Sequence, residues 1–268
     1  MIFAKPTRVI LAATLALAAM SSQAHDLWFK PSSTVLSSPD WVTVDAAVSN
    51  DVFFFNHRPL SLDSVKVTAP DGSAVEMKNA FKGELRSVFD FKPEKPGTYR
   101  VSMAMNGVMG GYKDANGQMK RLRGSLEEIL KQVPADAKEV NITENVRRME
   151  TFISLGKPSA IALTGKGLEM KPLTHPNDLV SSEEAKFEFH IDGKPAADLE
   201  VELVADGIRY RDGVNAMKLK TDAKGNVAIK FPRPGLYWLN VDAKDQKTSI
   251  SQAKERRLGY IATLEVLP

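Results

Sequence analysis

The stretch "MKLKTDAKGNVAIKFPRPGLYWLNVDA", residues 217–243, decides the fold class. It contains three short segments in which apolar residues alternate with polar ones or aromatic and β-branched residues are common, and "DAKGN" and "PRPG" separate the segments. Glycine tolerates positive φ and proline presets φ for a turn, so both separators are typical of tight connections between strands. The stretch therefore predicts three consecutive β-strands.

The same rhythm recurs along most of the chain. Comparable strand patterns, separated by turns such as "APDG" at 69–72 and "EKPG" at 94–97, lie at 41–48, 64–69, 87–93, 98–105, 185–207 and 256–268. Strands that recur about every ten residues are typical of a β-sandwich. We therefore expect an all-β protein built of Ig-like units.

The middle of the chain departs from this rhythm. "GSLEEILKQV" at 124–133 has a serine N-cap, acidic residues in its first turn and apolar residues at helical spacing, so it predicts one short helix. The Gly- and Asn-rich segment 105–120 before it predicts a loop or an irregular hairpin, and 144–156 after it predicts a return strand. We predict two β-sandwich domains, 25–157 and 158–268, with a helix-bearing insertion at 106–143 in the first.

The first 24 residues have the three parts of a secretory signal peptide. Lys5 and Arg8 provide a positive start, residues 9–20 are apolar, and "SQA" at 22–24 offers small residues at a cleavage site. An apolar run of this length is shorter than the roughly 20 residues that a membrane-spanning helix needs. We therefore predict a signal peptide at 1–24, cleavage after Ala24, a periplasmic location and no membrane span in the mature protein.

Composition narrows the function classes. The chain has no cysteine, which excludes disulfides, thiolate metal sites and thiol nucleophiles. The formal charge is only +3, and two of those positive charges lie in the predicted signal peptide, so no nucleic-acid partner is expected. The sequence contains no phosphate loop, dinucleotide fingerprint or nucleophile elbow. We expect a binding protein and not an enzyme.

The histidines are few and therefore informative. After cleavage, His25 would carry a free α-amine beside its imidazole, and the two nitrogens could chelate one metal ion. An α-amine has a pKa of about 7.7–8.0, so a metal ion can displace its proton near neutral pH. One further imidazole would make a three-nitrogen site suited to Cu or Ni, with Zn or Co as alternatives. The opposing interpretation is a frayed terminal residue.

Three further histidines are candidate metal ligands. His57, in "FFFNHRPL", follows an aromatic run and is expected at a strand end; otherwise it is a surface-loop residue beside Arg58. His175, in "PLTHPND", lies between the predicted units and is otherwise a turn histidine. His190, in "FEFHIDG", is otherwise a solvated strand residue. The predicted metal ligands are thus His25 and His57, with His175 and His190 as further choices.

Several strings together resemble one bacterial family. "AHDLWFKPS", "GLEMKPLTHPNDL", "HIDGKPAADLEVEL", "KTDAKGNVAIKFPRPGLYWLNV" and "RRLGYIATLEV" resemble periplasmic proteins grouped with the NikM-type component of nickel uptake systems. The resemblance covers the mature chain in order, and it implies a protein that helps deliver a transition metal to an inner-membrane or TonB-linked transporter. The histidine start alone is also similar to CopC-type copper carriers and copper-dependent polysaccharide monooxygenases.

The leading hypothesis is therefore a periplasmic carrier or uptake accessory for Ni, Cu, Co or Zn. The first alternative is an Ig-like binding or adhesion module for a protein or polysaccharide, which would use the aromatics of "FFFN" and "LYW". The second alternative is a copper-dependent glycan oxidase with a flat face around His25.

Overall fold

The structure is a computed structural model in which residues 25–268 are described. The predicted signal peptide and its cleavage site at Ala24 lie outside the described residues. Between residues 25 and 268, no helix is long and apolar enough to cross a membrane.

The described residues form nineteen strands, one α-helix and one 3-10 turn at Ile208–Tyr210. The first half of the chain contains β1 (Asp26–Pro31), β2 (Val35–Leu36), β3 (Val42–Ser49), β4 (Arg58–Pro59), β5 (Val65–Thr68), β6 (Ala74–Val75), β7 (Lys78–Lys82), β8 (Ser87–Phe91), β9 (Gly97–Lys113), β10 (Met119–Gly124), α1 (Leu126–Gln132) and β11 (Lys138–Leu155). The second half contains β12 (Leu168–Pro172), β13 (Glu184–Ile191), β14 (Lys194–Pro195), β15 (Glu200–Ala205), β16 (Met217–Lys220), β17 (Asn226–Lys230), β18 (Gly235–Asp245) and β19 (Glu255–Val266). The all-β prediction with one short helix is confirmed.

The strands form three sheets. A five-stranded sheet has the order β1-β3-β8-β7, with β4 on β3, and a four-stranded sheet contains β12, β13, β14 and β17. A ten-stranded sheet has the order β16-β15-β18-β19-β11-β9-β5-β6, with β10 paired to β9 and β2 to β11. Strands from both predicted units therefore belong to one sheet, joined where β19 pairs with β11 in parallel.

The ten-stranded sheet contributes to two hydrophobic cores, one on each of its faces. Successive residues of β18 alternate between them: Trp238 belongs to the first core, with Trp28 of the five-stranded sheet, whereas Tyr237 and Leu239 belong to the second, with Phe187 of the four-stranded sheet. Because neighbouring side chains of a strand point to opposite faces, a run of buried residues marks a strand covered on both sides. The two sandwiches thus share their middle layer, and the boundary between 157 and 158 stays a prediction.

The predicted helix is confirmed, and the segment before it is more regular than predicted. Ser125 caps α1 in a capping box with Glu128. The segment 105–120 was predicted as a loop or an irregular hairpin, and it forms a hairpin: it continues β9, which pairs with β10 from Lys113↔Met119 to Val108↔Gly124. A Cβ on Gly110 would lie only 2.5 Å from the side chain of Ile129. This glycine therefore makes room for the helix and does not form a loop.

Candidate functional site

Two of the four predicted ligands meet at one end of the five-stranded sheet. Strand β3 lies between β1 and β4, so that Leu27 and Arg58 flank Val48 from its two sides. His25 directly precedes β1 and His57 directly precedes β4. Their imidazole rings stack with centroids 3.9 Å apart and planes at 18°. We call these two residues the histidine pair.

The strand that follows His25 is fixed to the core. Trp28 is fully buried, and its Nε1 donates a hydrogen bond of 2.7 Å to Ser49 Oγ. The carbonyl of Leu27 accepts a hydrogen bond of 2.9 Å from Trp238 Nε1 on the ten-stranded sheet. His25 therefore directly precedes an anchored strand, even though its own side chain is exposed.

A hydrogen-bonded loop positions His57. The Asn50 amide donates to Asn56 Oδ1 at 2.9 Å, and Asn56 Nδ2 donates to Asp51 Oδ2 at 2.8 Å. The carbonyl of Asp51 also accepts from Ser49 Oγ at 2.6 Å. These contacts close the loop 50–57 onto the end of β3. They also fix Asn56, and His57 is the next residue in the chain. The ring of His57 is itself exposed.

The electrostatics of the pair favour neutral imidazole at His57. Its pKa is lowered from 6.5 by partial desolvation and by the neighbouring positive charges of His25 and Arg58. A neutral imidazole is the form that binds metals. Because the two rings face each other, their nitrogen lone pairs lie in nearly parallel planes, and shared ligation of one ion requires both rings to turn. Both side chains are exposed, so this rotation is open to them.

Asp26, which directly follows His25 in the chain, has a carboxyl group that the sequence did not single out. The pKa of Asp26 is raised to about 7, first by burial and then by the negative charges of Glu202 and Asp51, against the opposing effect of Arg147. A carboxyl group is an oxygen ligand of Zn and of harder ions. No motif reveals this residue, because Glu202 and Arg147 reach it only through the packing of β1 on the ten-stranded sheet.

His175 has a structural environment. Its Nδ1 accepts a hydrogen bond of 3.1 Å from the Asn177 amide, and its Nε2 lies 3.0 Å from Thr98 Oγ1 and 3.1 Å from the Ser159 carbonyl. Burial lowers its pKa from 6.5. Both ring nitrogens are therefore engaged in holding the segment after β11 against β9.

His190 is buried, contrary to its expected position as a solvated strand residue. It is only 8% exposed, because Glu169 of β12 and Pro195 of β14 flank it in the sheet. Its Nε2 lies 2.7 Å from Glu188 Oε1, whereas its buried Nδ1 has no hydrogen-bond partner among the described residues.

The structure does not gather all four histidines. Among residues 25–268, no group of three or more His, Asp or Glu side chains is placed to hold a metal ion. The histidine pair is the cluster that the fold assembles from the predicted set, and metal binding by each of the four residues stays a prediction.

These features define an Ig-like β-sandwich protein that presents an exposed histidine pair at one sheet end. Residues 22–245 match the family described as Domain of unknown function (DUF4198), and the chain belongs to this family. No curated protein matches the chain.

Three solved structures are similar to the chain at low sequence identity. The D0-D1 domain of intimin is 12% identical, with 90% of this chain and 97% of that chain covered and a TM-score of 0.23. The adhesin InvE of Yersinia pseudotuberculosis is 10% identical, with 90% and 58% covered and a TM-score of 0.22. Three N-terminal domains of the outer capsid protein Hoc of bacteriophage RB49 are 12% identical, with 89% and 59% covered and a TM-score of 0.16. TM-scores this low carry no argument about the architecture, which follows from the strand order of this chain.

Proposed function

We propose that this protein is a periplasmic carrier, and not an enzyme, that binds Ni, Cu, Co or Zn and passes it to an inner-membrane or TonB-linked transporter. In this proposal the signal peptide is removed after Ala24 and the metal is held by the histidine pair. The kinship with NikM-type nickel uptake components is part of the same proposal.

The observation that carries the proposal is the contact between the rings of His25 and His57. Two exposed imidazoles at 3.9 Å on anchored strand ends keep two nitrogen donors close together, and rotation of the exposed rings can direct both donors to one ion. Two neutral nitrogens alone leave most of a coordination shell to water. The α-amine that cleavage would create on His25 supplies a third nitrogen, and this set suits Cu(II) or Ni(II) better than Ca²⁺ or Mg²⁺, which prefer oxygen.

A metal titration of protein that begins at His25 tests the proposal. We expect His25→Ala, His57→Ala and a variant with one glycine added before His25 each to bind Cu(II), Ni(II) and Zn(II) more weakly. The fall in metal affinity should exceed the roughly 10–100-fold fall that is typical when a residue hydrogen-bonded to a metal ligand is replaced. Isothermal titration calorimetry measures the affinities, and intact mass of the exported protein reports the cleavage site.

His190→Gln is the matched control, because it removes an imidazole away from the pair. We expect this variant to keep the affinity of the starting protein. The proposal would be contradicted if all four variants bound the metal ions as tightly as the starting protein does. A loss of affinity confined to His190→Gln would also contradict it. Loss in the histidine variants with full affinity in the glycine-extended protein would refute the role of the amine.

A further inference from the structure

A second candidate site lies where the loop after β3 faces the turn after β15. Residues Val52–Phe55 form one wall of an open cleft and residues 206–210 form the other, and Arg233 and Leu236 also line it. The cleft has a volume of about 460 Å³. Sites for small molecules typically have about 300–1,000 Å³, so the cleft can hold a ligand with a ring and a polar group.

Aromatic rings dominate the first wall. Phe53, Phe54 and Phe55 all line the cleft, and Tyr210 on the opposite wall is 85% exposed. Phe53 has a φ of +61°, a conformation that bulky residues rarely adopt. Phe53 is only 5% exposed and belongs to the first core, so the exposed Tyr210 and the partly buried Phe54 and Phe55 provide the faces on which an apolar or aromatic body can stack.

Positive charge dominates the polar lining. Lys30, Arg209 and Arg233 line the cleft, and Asp206 is the one carboxylate among its lining residues. Lys30 Nζ is paired with Asp206 Oδ2 at 3.0 Å, and Arg233 Nη2 donates to the Asp206 carbonyl at 2.6 Å. These contacts hold the two cations in place.

Arg209 is the cation left for a ligand. Its guanidinium lies 5.1 Å from the ring centroid of Phe54, and within residues 25–268 it forms no salt bridge. A guanidinium stacked on a ring keeps its edge donors free for a planar acceptor such as a carboxylate. Arg233 also lines the cleft and forms no salt bridge within residues 25–268, so its donors other than the one bonded to the Asp206 carbonyl are open to the same ligand.

We propose that this cleft binds a small carboxylate ligand with an aromatic or flat apolar body. The carboxylate would pair with Arg209 and Arg233 while the ring stacks on Phe54, Phe55 and Tyr210. Guanidinium–carboxylate pairs are short, directional and stronger than neutral hydrogen bonds, so the charge of the ligand should decide its binding. This site does not depend on metal binding by the histidine pair.

Benzoate is the probe that tests this proposal, with benzamide as a neutral analogue of nearly the same shape. Ligand-observed saturation-transfer NMR gives the affinities, and ¹H–¹⁵N spectra locate binding through the backbone amides of Gly207 and Gly235. We expect benzoate to bind at least about tenfold more tightly than benzamide, and Arg209→Gln or Arg233→Gln to weaken benzoate binding about tenfold, the effect of losing one charge-assisted hydrogen bond. Phe54→Leu should weaken both probes.

Arg257→Gln is the control, because Arg257 is an exposed arginine whose partner is Glu255, away from the cleft. It should bind benzoate like the unaltered protein, and so should His57→Ala, which separates this test from that of the metal proposal. Equal binding of benzoate and benzamide would overturn the proposal. Unchanged affinity in both Arg209→Gln and Arg233→Gln, or shifts that avoid Gly207 and Gly235, would do the same.

Discussion

At the scale of single residues, two glycines close similar turns in different surroundings. Gly72 ends "APDG" with φ +83°, and Gly225 ends "DAKG" with φ +79°; each amide donates to a carbonyl three residues earlier. An added Cβ on Gly72 would meet nothing within 4 Å, whereas one on Gly225 would lie 2.7 Å from the Phe189 carbonyl oxygen and 2.9 Å from the Ala196 amide. The sequence signals the same turn twice, and only packing distinguishes the two positions.

We therefore predict different costs for the same substitution. Gly72→Ala should lower the free energy of unfolding by about 1–2 kcal/mol, the cost of a left-handed conformation for a residue with a Cβ. Gly225→Ala should lower it by clearly more, since backbone atoms of β13 and of the residue after β14 would also have to move. Urea denaturation followed by circular dichroism measures both values. Equal destabilisation by the two variants would contradict the close packing at Gly225.

At the scale of elements, the short helix α1 depends on its first turn. Ser125 Oγ accepts from the Glu128 amide at 3.2 Å, and Glu128 Oε2 accepts from the Ser125 amide at 2.8 Å. The helix has only seven residues, too few to be stable in isolation, so it needs this capping box and the burial of Ile129.

Removing the cap should loosen this element. We predict that Ser125→Ala lowers the free energy of unfolding by about 1 kcal/mol and speeds amide hydrogen exchange in α1, because the Glu128 amide loses its acceptor. Ser125→Asp, which keeps a capping oxygen, should stay close to the original protein. An alanine variant with unchanged exchange in residues 126–132 would show that tertiary packing alone holds the helix.

At the scale of the whole molecule, one guanidinium ties the four-stranded sheet to the ten-stranded sheet. Arg256 of β19 is 8% exposed and donates from Nη2 to Asp192 Oδ2 and to Asp245 Oδ2, each at 2.7 Å. Asp192 follows β13, whereas Asp245 ends β18. The hydrogen bonds from Arg256 lower the pKa of both carboxyls below 3.8.

Replacing this residue should destabilise the protein in a pH-dependent way. We predict that Arg256→Met lowers the free energy of unfolding by about 2 kcal/mol near pH 7, less than a fully buried pair because Asp192 is partly exposed. Since both carboxyl pKa values are depressed in the folded state, the stabilisation is present above about pH 4 and is lost as the pH falls through the folded-state values.

Denaturation curves of the two proteins from pH 7 to pH 2 check this expectation. The difference between them should shrink at the acidic end. The exposed neighbour Arg257 offers the control Arg257→Met, for which we expect a change near zero. A constant difference across the whole range would mean that lost packing, and not the ion pairs, accounts for the effect.

The degree to which the sequence predicts the molecule depends on the range of the interactions. Strand rhythm, the turns that end in Gly72 and Gly225, and the capping box at Ser125 were all predictable, because each depends on residues only a few positions apart. The shared middle sheet was not predictable from the sequence. The apolar runs of β18 and β19 do not indicate which of the two cores each side chain enters. The same limit applies to Asp26, whose environment is made by residues of other strands.

The sequence by itself determined an all-β chain with one short helix, the absence of cysteine and a set of four histidines as candidate imidazole ligands. Only the tertiary structure decided how those histidines are used: the pairing of β1 and β4 on either side of β3 brings the rings of His25 and His57 together, while His175 and His190 take part in internal hydrogen bonds. The physical reason is that strand pairing joins residues distant in sequence, and local backbone preferences do not determine which strands become neighbours.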